Sequence, residues 1–162
     1  MKPTNDNKDP QHRSSGGKIL FGLLVITLLP VILAAALFYF SWGLILSIAI
    51  WIVWGLRGNR ILFVYSNSPI WSEYIKQEIL PHIQDRAVIL NWSERKTWKP
   101  SLAVWAFHYF GGRRNFNPMA IVFRPFHLHG TFRFYDAFQN YKHGSIESLA
   151  KIKAEFFSVI GE

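Results

Sequence analysis

The chain has 162 residues, a net charge of +8 and no cysteine. The absence of thiols excludes disulfides, thiolate metal sites and thiol catalysis. Its 14 Phe, 7 Trp and 6 Tyr, many of them outside the apolar N-terminal stretch, supply a core for one small folded domain.

Residues 1–17 are polar, with Pro3, Pro10 and the run Ser14-Ser15-Gly16-Gly17, and read as a disordered cytoplasmic tail. Residues 19–56 then carry no charged side chain and lie between Lys18 and Arg57. About 18 such residues already indicate a transmembrane helix. A single helix over this stretch would be about 57 Å long, against a hydrocarbon core of roughly 30 Å. Two short spans fit that thickness better, so residues 18–57 are predicted to form a transmembrane helical hairpin. Residues 19–38 make the first span and 42–56 the second, with Tyr39-Phe40-Ser41-Trp42-Gly43 as the turn and Gly43 relieving the backbone there.

Charge sets the expected topology. Lys2, Lys8, Arg13 and Lys18 precede the stretch, and Arg57 and Arg60 follow it. Basic flanks stay in the cytoplasm, which requires an even number of crossings. The expectation is a multi-pass protein of the cell (inner) membrane with both termini cytoplasmic. The rival is one long helix whose ends leave the hydrocarbon.

Beyond the stretch, Arg60-Ile61-Leu62-Phe63-Val64-Tyr65 reads as a buried strand. Ser66-Asn67-Ser68-Pro69 ends it and starts a helix, with Ser68 as cap and Ile70, Tyr74, Ile75 and Ile79 at helical spacing. Ala87-Val88-Ile89-Leu90 is a second strand. In residues 93–100, Lys96 and Lys99 flank Trp98. This loop either lies on the bilayer surface or tucks Trp98 into the core. Ser101 caps a helix through Tyr109, closed by Gly111-Gly112. Met119-Ala120-Ile121-Val122-Phe123 is a third strand. Alternation over 128–135 predicts a fourth. Ser145 caps a last helix with Ile146, Leu149, Ile152, Phe156 and Ile160 on its apolar face.

This order of strands and helices resembles the thioredoxin-like fold, a three-layer α/β architecture, over residues 60–162. Members of that family carry their active motif after the first strand, where this chain has Ser66-Asn67-Ser68-Pro69. They carry a cis-proline before the third strand, where this chain has Pro118. The family's redox chemistry needs thiols at the first position, so the resemblance implies a redox-inactive version.

Two sets of side chains stand out. Ser66, Asn67, Ser68 and Pro118 are candidates for holding a small anion or thiol at a helix start, the alternative being a simple helix cap. Arg113, Arg114, Arg124, His127, His129 and Arg133 are candidates for a basic patch facing phosphate or anionic lipid head groups, the alternative being a solvated face. His127-x-His129 alone is a weak metal signal, and no metal or cofactor is assigned. Asn91-Trp92-Ser93 matches a glycosylation sequon, a pattern short enough to arise by chance. No phosphate-binding glycine loop, catalytic triad or nucleic-acid motif is present. The expected role is a membrane-anchored, non-catalytic binding or assembly protein with a protein partner or anionic lipid. The alternative is an enzyme or carrier for a small anionic ligand at Ser66–Pro69 and the neighbouring basic face.

Overall fold

The computed structural model describes residues 15–125 and 127–161. It combines helices with one four-stranded mixed sheet. Helix α1 runs unbroken over Ser15–Val53. Residues 39–43 are helical, so the reversal expected there is absent. No Pro or second Gly accompanies Gly43 to break the ladder, and Pro30 lies within the helix.

The length that argued for two spans is accounted for differently. The chain divides into two compact units with the boundary after Trp42. In the first unit the described apolar side chains of α1 are exposed all round, from Leu20 to Phe40. Residues 19–42 rise about 36 Å, enough for one tilted span. Among the described residues this is the one helix long and apolar enough to cross a membrane. From Gly43 onward the same helix belongs to the second unit and buries Gly43, Leu46 and Ile50, followed by Trp54 just beyond it, at helical spacing. Gly43 serves packing there: a Cβ would fall on the hydroxyl and ring of Tyr109.

In the second unit, Gly55–Arg57 turns α1 into β1 (Ile61–Tyr65). Then follow α2 (Ser72–Glu78), α3 (Leu80–Ile83), β2 (Ala87–Asn91) and α4 (Leu102–Phe110). The chain closes with β3 (Met119–Val122), β4 (Gly130–Arg133), α5 (Tyr135–Lys142) and α6 (Glu147–Ile160). The strand order is β2-β1-β3-β4. β1 is parallel to β2 and antiparallel to β3, which is antiparallel to β4.

β1 and β3 are buried along their whole length because helices cover both faces. Ile61, Phe63 and Tyr65 face one core with Ile75, Phe138 and Phe156. Leu62 and Val64 face the other with Ile50, Trp54, Ala106 and Phe107. The odd–even split follows from the period of two along a strand. Phe134 lies 6.1 Å from Phe63 and 5.8 Å from Phe156, ring centre to ring centre.

Several boundaries differ from the sequence reading. β4 covers Gly130–Arg133, and Leu128 is 92 % exposed in the β3–β4 loop. Phe134 is buried but stands before α5, a helix the alternation concealed. Ser101 does cap α4, accepting a hydrogen bond from the Val104 amide at 3.4 Å. Trp98 packs edge-on against Trp92 and Phe107, which favours the core alternative for that tryptophan.

Candidate functional site

The two ends of the sheet differ in character. One end receives the chain from α1 and carries the β3–β4 loop. The other end carries Ser66 after β1, the end of β2, and Pro118 before β3. β1 has five residues, so about 17 Å separates the two ends.

At the far end the four candidate residues are engaged internally. Ser66 is 8 % exposed, and its hydroxyl accepts a hydrogen bond from the Trp71 indole Nε1 at 3.3 Å. The Asn67 amide donates to Ser93 Oγ at 3.0 Å, and Asn67 Oδ1 accepts from Asn91 Nδ2 at 3.2 Å. Asn91 Nδ2 also donates to Glu94 Oε1 at 2.8 Å. The sequon asparagine thus ties β2 to the loop after β1. Ser68 Oγ accepts from the Ile70 amide at 3.4 Å. The expected cap is displaced: α2 begins at Ser72, with Trp71 at its cap position. Pro118 is buried and the Asn117–Pro118 peptide is cis.

Removing the Ser66 hydroxyl leaves a buried indole N–H without its acceptor. Ser66→Ala should therefore cost about 1–3 kcal/mol. Urea unfolding of the full chain in detergent checks this; a midpoint equal to that of the parent would show the bond to be dispensable.

What opens at this end is an aromatic groove of about 320 Å³ lined by Trp71, Trp92, Asn115, Phe116, Asn117 and Tyr135. Trp92 and Phe116 meet edge-on at 4.7 Å, and Trp71 and Tyr135 at 6.1 Å. Asn115 holds φ +50° and donates from Nδ2 to both oxygens of Asp136 at 3.0 Å. Asn117 Oδ1 is buried and accepts no hydrogen bond from the described residues. Such an atom carries a desolvation cost until a donor reaches it. Sequence reasoning passed over these side chains. The Asn115-Phe116-Asn117-Pro118 run was the available signal, since amides crowded beside a proline mark a shaped turn.

The six basic candidates do not form one patch. Arg113, Arg114 and Arg133 lie at the far end, and Arg133 is internal support. Its Nη2 donates to Gly111 O at 3.2 Å and its Nη1 to Arg114 O, clamping the loop after α4. Arg124, His127 and His129 lie in the β3–β4 loop at the opposite end. The expected strand began at Leu128, but β4 starts only at Gly130, so both histidines fall in the loop before it while Arg133 ends it at the far end of the sheet. His127 Nδ1 is 2.9 Å from Pro125 O. The His129 ring sits 4.7 Å from Phe110. No group of three His, Asp or Glu side chains gathers among the described residues.

His129 keeps an exposed side, and partial desolvation of its ring beside Phe110 and Phe123 pushes its pKa below the ordinary 6.5. A depressed folded value means that the unfolded chain binds the proton first as pH falls. The stabilisation is complete above 6.5 and is lost as pH drops through the folded value. His129→Gln should flatten that part of the stability profile between pH 7.5 and 5, roughly. An unchanged slope would remove His129 from the account.

With both ends described, comparison with protein-family models, with curated proteins and with solved structures gives no significant match for this chain.

Proposed function

We propose that the chain is a single-span, membrane-anchored, non-catalytic binding protein. Its second unit is a redox-inactive thioredoxin-like domain that takes a segment of a partner protein into the aromatic groove. The strand order β2-β1-β3-β4, its one parallel pair, and Pro118 immediately before β3 support the fold reading. The absence of cysteine supports the lack of redox chemistry. The apolar, exposed part of α1 supports the anchor.

The observation that carries the binding role is the groove of about 320 Å³ walled by Trp71, Trp92, Phe116 and Tyr135. Four aromatic rings offer apolar area to a partner segment at low entropic cost. The seryl hydroxyls are already spent within the fold, and α2 is only seven residues long. A partner segment is therefore favoured over a small anion at Ser66–Pro69.

The test is a photo-crosslinking side chain placed at Asn115 in membranes of the native host, with a second at Lys142 on α5 as a remote control. A discrete protein adduct from Asn115 that Trp92→Ala abolishes, and none from Lys142, is the expected result. No adduct, or the same adducts from both positions, would reject the groove as a binding site.

A further inference from the structure

The end of the second unit where α1 enters the sheet is built differently from the groove. An apolar trough of about 430 Å³ runs along Ile50, Trp51, Ile52, Leu56, Phe123 and Pro125. Arg60 closes one side of it and also lines a second cavity, of about 250 Å³, together with Arg86 and Arg124. Arg124, with Trp51 and Phe123, lines a third recess towards Leu44, His127 and His129. The three cavities thus adjoin one another through Arg60, Phe123 and Arg124. Arg60 and Phe123 are cross-strand neighbours, since the Phe123 amide donates to Arg60 O at 2.8 Å. Arg124 follows Phe123 directly, and the cavity of about 250 Å³ is lined by both arginines.

Arg86 is committed to the fold, with its Nη1 donating to Ile160 O at 3.2 Å. The guanidiniums of Arg60 and Arg124 make no hydrogen bond or ion pair within the described residues. Beside them Leu56 is 85 % exposed and Ile52 56 %. These apolar positions continue the uncharged run that forms the exposed part of α1. An unpaired basic pair next to an open apolar trough matches one ligand chemistry: an anionic head joined to a hydrocarbon tail.

We infer that this end binds one anionic phospholipid, with its phosphate between Arg60 and Arg124 and an acyl chain along the Ile50–Leu56 trough. The inference rests on the membrane-anchored reading above. Charge complementarity supplies head-group choice, because paired guanidiniums favour a net-negative phospholipid over a zwitterionic one. The trough supplies retention through apolar burial. Arg113 and Arg114, at the opposite end of the sheet, take no part.

The experiment uses the full chain in nanodiscs of equimolar phosphatidylglycerol and phosphatidylcholine, followed by native mass spectrometry of the released protein. The expected spectrum shows one retained phosphatidylglycerol, favoured over phosphatidylcholine by about tenfold. Arg60→Gln with Arg124→Gln should abolish the preference. Gly55→Leu provides a second variant, because Gly55 lines the trough and a Cβ there meets nothing within 4 Å. It should lower retention of both lipids while leaving the preference intact. Equal retention of the two lipids by the parent would overturn the inference. So would an unchanged preference in the double variant, or the same loss on Arg113→Gln with Arg114→Gln. Resistance to alkaline carbonate extraction reports anchorage separately. A chain that stays in the membrane without choosing a lipid refutes this site alone, whereas a chain that washes off refutes the anchor.

Discussion

Trp54→Ala is expected to destabilise the second unit by about 3–5 kcal/mol, and Ile50→Ala with Trp54→Ala to leave it unfolded. Trp54 is 5 % exposed and Ile50 1 %. Both pack on the face of the sheet formed by Leu62, Val64 and Ile121. The Trp54 ring lies 5.8 Å from Phe123, edge to face. Truncation removes one side of that core and opens it to solvent, and rigid neighbours such as β1 cannot collapse to fill the void. Denaturant unfolding in mild detergent, followed by near-ultraviolet circular dichroism, measures the loss. Leu33→Ala is the control, since Leu33 is 54 % exposed in the first unit. It should leave the transition unmoved. If Trp54→Ala behaved like Leu33→Ala, the last turns of α1 would not be part of the domain's core.

The second large effect is all-or-none. Reporters at the two ends of the chain should score on opposite sides of the membrane. The unbroken α1 offers one crossing over residues 19–42, and one face of its remaining turns packs within the second unit. Four basic residues precede that crossing, Lys2, Lys8, Arg13 and Lys18, against Arg57 and Arg60 in the flank that follows. The richer flank stays inside, so the second unit should lie outside the cytoplasm. Both reporters on one side would restore a hairpin and require α1 to break near Gly43.

The same residues show how far the sequence could be read. β1, β2 and β3 were legible because short apolar β-branched runs bounded by turn formers have few other uses. Helix α4 was legible because Ser101 and Gly111 punctuate it. The hairpin expectation failed because apolar length alone does not distinguish lipid from protein as the solvent of a helix. Burial is periodic at Gly43, Leu46, Ile50 and Trp54, but Leu44, Ile45, Ile48 and Ile52 between them are as apolar as the preceding turns, so the sequence carries no mark of the change. α5 was hidden because Phe132 and Phe134 extend a strand-like alternation into its start, although Phe134 is already the residue before the helix. The aromatic groove was illegible for a different reason. Trp71, Trp92, Phe116 and Tyr135 come from four separate segments, and only the β2-β1-β3 pairing brings them together.

β1 keeps the groove and the arginine end roughly 17 Å apart, beyond the 7–10 Å or so over which substitutions usually couple. Changes at Trp92 and at Arg60 should then combine by simple addition, their double-mutant cycle closing near zero. Were both proposed sites occupied as inferred above, one end could change without retuning the other. Variation in partner choice and variation in bilayer preference would be independent traits carried by a single strand.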